Sequence, residues 1–119
     1  MKRDMELVRR VLLEIEQSTN VDDWIDLGIE GYSPEEISYH VKILAEAGLL
    51  EAQDLTTNDE FEWKPKSLTW KGHEFLDAAR NETVWKKTTD LVKDKGGSIP
   101  FEVLKDLLIK VATTFFSVG

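Results

Sequence analysis

Ser33-Pro34-Glu35-Glu36-Ile37-Ser38-Tyr39-His40-Val41-Lys42-Ile43-Leu44-Ala45-Glu46-Ala47-Gly48-Leu49-Leu50 reads as one capped amphipathic helix running into a strand. Ser33 stands at the N-cap, Pro34 at the first helical position and Glu36 three residues after the serine, which together make a capping box. Glu35 and Glu36 in the first turn also suit the positive end of the helix dipole. Ile37, Val41 and Leu44 form the stripe to be buried, and Gly48 is placed to stop the helix in a left-handed conformation. The face left outside carries Glu35, Ser38, Tyr39 and Lys42.

Downstream, Leu49 to Leu55 reads as a strand, and Thr56-Thr57-Asn58-Asp59-Glu60 as a polar turn. Phe61 to Trp70 supplies the returning strand, with Pro65 suited to an edge or a bulge because it has no N–H to give to a ladder. A helix follows Thr69 and ends near Arg80. Asn81 caps another from Glu82 to about Lys95, which Gly96-Gly97 terminates. Ser98 starts the last helix, with Pro100 near its beginning.

Upstream, Asp4 caps a first helix ending near Gln17. Met5, Val8, Leu12 and Ile15 share one face, which Leu7 and Val11 widen. Asn20 to Gly31 alternates in part, and a short strand is expected around Trp24–Ile29. Four acids together with Gly28 and Gly31 argue against a helix over Asp22–Tyr32.

These elements make a mainly α chain with a small antiparallel β wing. The order describes an α+β, winged-helix-like core plus C-terminal helices. Residues 1–80 are expected to form the core domain. Residues 81–119 form a helical extension that packs on it or builds a dimer interface.

The 119 residues, 41% hydrophobic, are enough for one compact core. No apolar run approaches the ~18 residues a membrane span needs. Met1–Glu6 carries acids where an export signal would be apolar, so a cytoplasmic location is expected. Cysteine is absent, which excludes disulfides and thiolate metal sites. The formal net charge is −8, unevenly spread. From Glu14 to Glu62 stand 14 acids and one base, Lys42, whereas residues 63–119 carry ten bases and seven acids. Such a charge opposes non-specific attraction to nucleic acid or anionic membrane.

Ser38, His40, Val41, Lys42, Leu44, Glu46, Ala47, Gly48 and Leu49 match the S-x-H-L-K-x-L-x-x-A-G-L run of arsenic-sensor and multidrug-type winged helix-turn-helix repressors. Leu68-Thr69-Trp70-Lys71-Gly72-His73-Glu74-Phe75-Leu76 resembles the L-T-x-x-G-x-x-x-L that closes their wing. A departure is the stretch Asp22–Tyr32, where those repressors have a helix that clamps the DNA backbone. Over nearly the whole chain, Met1–Leu7, Tyr32–Leu50, Leu68–Phe75, Thr83–Lys87 and Gly96–Lys105 resemble a family of small bacterial and phage proteins known as domain of unknown function 2513. That resemblance implies a bacterial or prophage setting and carries no activity with it.

The repressor resemblance implies DNA contact through Ser38, Tyr39 and Lys42 on the helix, with Lys64 and Lys66 reaching from the wing around Trp63. Ser38 and Tyr39 can hydrogen-bond bases or phosphates, and the lysines suit phosphates. A second basic patch is available from Lys2, Arg3, Arg9 and Arg10 together with Lys86, Lys87, Lys93 and Lys95. The plain alternative makes Glu35 and Glu36 mere caps and the wing a solvated turn. Leu104, Leu107, Leu108, Val111 and Phe115 share a broad apolar face in the last helix. It serves either a two-fold homodimer or packing on the protein's own first helix.

His40 and His73 have no carboxylate at a metal-ligand spacing, and no nucleophile elbow, phosphate loop or HExxH is present. The expectation is therefore no enzyme, no metal and no cofactor, with His40 a packing or hydrogen-bonding residue. The leading reading is a winged-helix binding module acting as a DNA-binding transcriptional regulator, although its acidic charge opposes DNA. The alternative is a protein-interaction module docking an acidic face on a basic partner, for instance a phage accessory protein imitating the charge of DNA. No membrane partner is expected.

Overall fold

The computed structural model describes residues 1–19, 23–94 and 99–117. The elements run α1 (Met5–Gln17), α2 (Pro34–Glu46), β1 (Leu50–Asp54), β2 (Trp63–Leu68), α3 (Trp70–Ala79), α4 (Glu82–Asp94) and α5 (Phe101–Ser117). The fold is thus mainly α with one two-stranded antiparallel sheet. The chain forms two compact units, Met1–Glu74 and Phe75–Gly119, divided within α3.

In the first unit, α1 opens as its sequence dictates. The Asp4 carboxylate accepts from the backbone N–H of Glu6 at 2.9 Å and of Leu7 at 3.2 Å. Leu7, Val8, Val11, Leu12 and Ile15 are buried; Met5 is only half-buried, so Leu7 and Val11 centre the face rather than widen it. In α2 the capping box is complete, Glu36 N–H to Ser33 Oγ at 3.1 Å and Ser33 N–H to Glu36 Oε1 at 3.0 Å. Its other end is a Schellman turn, with Leu49 N–H bonded to the Leu44 carbonyl and Gly48 N–H to that of Ala45, both at 3.0 Å. Gly48 has φ +78°, the left-handed value a side chain would resist.

The strands pair from Leu50↔Leu68 to Asp54↔Trp63, with a register shift between Glu51 and Ala52. Glu51 faces Ser67 and Ala52 faces Pro65, so Lys66 is the extra residue of a bulge. Pro65 sits beside that bulge, where its missing N–H is tolerated.

The strand expected at Trp24–Ile29 is not formed. Residues 24–29 hold no ladder and make one backbone bond to the wing, Ile25 N–H to the Pro65 carbonyl at 2.9 Å. Pro65 has no N–H to return, so a reciprocal pair cannot form there. No helix lies among the described residues between α1 and α2. Residues 20–22, which belong to the same expectation, lie outside the described residues. The two helices meet directly through His40, whose Nε2 accepts the Asp4 N–H at 2.8 Å.

Gly72 explains the glycine that closes the wing. A Cβ there would stand 1.9 Å from the Leu49 carbonyl oxygen, so only glycine lets α3 start against the α2–β1 turn. Thr69 fastens the same junction, its hydroxyl donating to the Gly48 carbonyl and accepting from Gly72 N–H at 3.1 Å.

In the second unit, Asn81 caps α4 by accepting from Val84 N–H at 3.0 Å. Phe75 and Phe101 stack at 4.9 Å between centroids, and Val84, Trp85, Leu104 and Leu108 are buried. The Gly96-Gly97 stop and the Ser98 start expected between α4 and α5 lie outside the described residues.

Candidate functional site

The surface formed by α2 and the wing is where the repressor resemblance places a site. Ser38, expected on the exposed face, is 7% exposed, and its Oγ accepts from the Trp63 N–H at 3.2 Å. That bond joins α2 to β2 and removes Ser38 from the reading face. Tyr39 is half-buried with its ring edge-on to His40, centroids 5.8 Å apart.

Two of the three lysines assigned to this surface, Lys42 and Lys64, have carboxylate partners. Lys42 Nζ lies 2.7 Å from Glu46, and Asp54 of β1 adds its field. Lys64 is bonded to Asp26, lies 3.8 Å from Glu62 and feels Glu60. The hydrogen bond to Glu46 raises the Lys42 pKa, and that to Asp26 raises the Lys64 pKa. Hydrogen bonds from Thr56 hold Asp54 below the ordinary carboxylate value. Five carboxylates thus surround two lysines. Lys66 stands exposed on the bulge.

No local pattern announces the loop that brings Asp26 here. Trp24 anchors it, its indole N–H donating to Gln53 Oε1 at 2.9 Å across 29 residues. Trp70, at the first position of α3, was also unforeseen as a surface feature and is 81% exposed. Arg9, counted toward a second basic patch, is only 8% exposed. Lys95 of that patch lies outside the described residues.

Among the described residues no group of three or more His, Cys, Asp or Glu could hold a metal ion. No described helix is long and apolar enough to cross a membrane. His40 is buried and hydrogen-bonded at both nitrogens, to Asp4 N–H and to the Glu36 carbonyl, each at 2.8 Å.

Of the residues assigned to a dimer face, Leu104 and Leu108 are 4% and 0% exposed within the single chain. They belong to the chain's own buried core. Leu107 and Val111 are half-buried, and Phe115 is 37% exposed with Lys87 Nζ 5.3 Å above its ring.

The profile of the family described as Hypothetical protein (DUF2513) matches residues 2–98. The chain belongs to this family. An uncharacterized protein of Haemophilus influenzae (strain Rd) is 38% identical over 118 residues, covering 98% of this chain and 97% of the relative. No solved structure matches this DUF2513 chain.

Proposed function

We propose that the protein is a non-enzymatic binding module whose acidic α2–wing face docks on a basic protein. The observation that supports this is the neutralisation of Lys42 and Lys64 by Glu46, Asp54, Asp26, Glu62 and Glu60. Phosphate contacts supply much of the affinity of a DNA-binding surface, chiefly through Lys and Arg that neutralise phosphate charge. Here Lys42 and Lys64, though not Lys66, have nearer anions, and the first unit holds eight Lys and Arg against 17 Asp and Glu, a net −9. A basic partner meets no such opposition, and electrostatic complementarity would set its choice and its on-rate. Imitation of DNA charge by a bacterial or prophage accessory protein in the cytoplasm is one form of this reading. The H. influenzae relative supports a bacterial setting.

The DNA-binding regulator is the competing reading, supported by the repressor-like spacing of α2 and by Lys66 on the wing. Paired capture from a bacterial lysate separates the two. Wild type and the Glu46→Lys/Asp54→Lys/Glu62→Lys variant serve as baits after nuclease treatment. The proposal expects basic proteins retained by the wild type and lost from the variant. Equal retention by both baits would overturn it.

A further inference from the structure

The second unit carries an open groove of about 670 Å³ between α4 and α5 that the acidic face does not involve. Its floor is apolar, built from Leu91, Val111 and Phe115, and its rim carries Lys87 and Lys110 with Asp90 and Asp94. Leu91 is 44% exposed and Phe116, stacked edge-on against Phe115, is 66% exposed.

The charge pattern identifies the occupant. The first unit is net −9, while Phe75–Gly119 holds seven Lys and Arg against six Asp and Glu. Two copies of a −8 chain repel wherever acid meets acid, and the groove rim, two bases and two acids, is a place where they need not. On α4, Lys87, Leu91 and Asp94 follow one another at i, i+4 and i+7, so they share one face in the order positive, apolar, negative. This order is self-complementary under a two-fold axis. Rotation about an axis at Leu91 sets α4 antiparallel to its mate, stacks leucine on leucine, and brings each Lys87 opposite Asp94 of the second copy. A parallel arrangement would set like charges together.

We propose that this groove is a self-docking surface on which two copies of the chain form an antiparallel, two-fold dimer through α4 and α5. The floor residues Val111 and Phe115 and the neighbouring Phe116 lose water on assembly, and the two Lys87–Asp94 pairs fix the direction.

Sedimentation equilibrium of the full chain tests this, with circular dichroism confirming that each variant is folded. The wild type is expected at twice the 13.6 kDa chain mass. Lys87→Asp and Asp94→Lys, each placing like charges across the axis twice, should each weaken the dimer roughly tenfold. The double variant Lys87→Asp/Asp94→Lys, which restores the alternation in reverse order, should recover it. Lys87 also lies over its own Phe115, so Asp94→Lys reads the intermolecular pair without disturbing that contact. A monomeric wild type, a dimer indifferent to both single changes, or a double variant no tighter than the single ones would each overturn the proposal.

Discussion

His40 Nε2 accepts a hydrogen bond from the backbone N–H of Asp4 at 2.8 Å, tying the cap of α1 to the middle of α2 across 36 residues. Because Nε2 is the acceptor, Nδ1 carries the proton and donates to the Glu36 carbonyl, also at 2.8 Å. The ring is 1% exposed, so no water replaces either bond. Asp4 is further engaged by the Tyr32 hydroxyl, which donates to its Oδ2 at 3.2 Å. The Asp4–His40 bond ties the cap of α1 to α2, and the Asp4–Tyr32 bond ties it to the turn just before α2, where a repressor would interpose a helix.

Replacing His40 by alanine therefore opens a cavity and leaves the Asp4 N–H without its partner. The expected cost is about 2–4 kcal/mol, combining the lost packing with an unsatisfied buried donor. Urea denaturation monitored by circular dichroism measures it. A loss below about 0.5 kcal/mol, typical of a neutral surface change, would show that the link carries no weight.

Gly72→Ala should destabilise the first unit by about 2 kcal/mol, since the new methyl group must push α3 from the Leu49 carbonyl. Gly28→Ala is the matched control, with nothing within 4 Å of its Cβ. It should be neutral or stabilise by about 0.5 kcal/mol through the unfolded chain. Equal melting temperatures for the two variants would contradict the close approach.

Burial, and next the Asp4 carboxylate, raise the Tyr32 phenol above its ordinary 10.0. A folded-state pKa above the unfolded one makes this contribution complete below pH 10 and lost as pH rises through the folded titration, because the unfolded chain gives up its proton first. Wild type should therefore lose stability more steeply above pH 10 than Tyr32→Phe, which has no proton there to lose. Parallel urea midpoints across alkaline pH decide it, and identical slopes would refute the assignment. Lys42 and Lys64 are common to both proteins and cancel in the comparison.

How much of this was legible in the chain depends on the sequence distance over which each interaction acts. The Ser33–Glu36 capping box, the Gly48 stop and the Asp4 and Asn81 caps are complete within five residues, and their spacing announces them. The absence of a helix between α1 and α2 among the described residues was equally local, written in the acids and glycines of Asp22–Tyr32. Ser38 was misplaced because its partner, the Trp63 N–H, lies 25 residues on. Helical period alone put it on the outer face. Lys64 looked available for phosphate because Asp26 is 38 residues away and reaches it only through the loop that Trp24 pins to Gln53. Amphipathicity shows that Leu104 and Leu108 are buried but not by what; their burial within the single chain assigns them to its own core.

Duplex DNA probes directly whether the α2–wing face repels phosphate. Fluorescence anisotropy of a random-sequence duplex, titrated with the full chain from ~50 to 200 mM salt, covers the range in which phosphate contacts weaken strongly. No binding is expected even at the lowest salt. In the same assay, Glu46→Lys/Asp54→Lys/Glu62→Lys should gain salt-sensitive affinity by turning the face positive. Salt-sensitive, sequence-selective binding by the wild type would contradict the acidic-face reading and establish the DNA-binding regulator in its place.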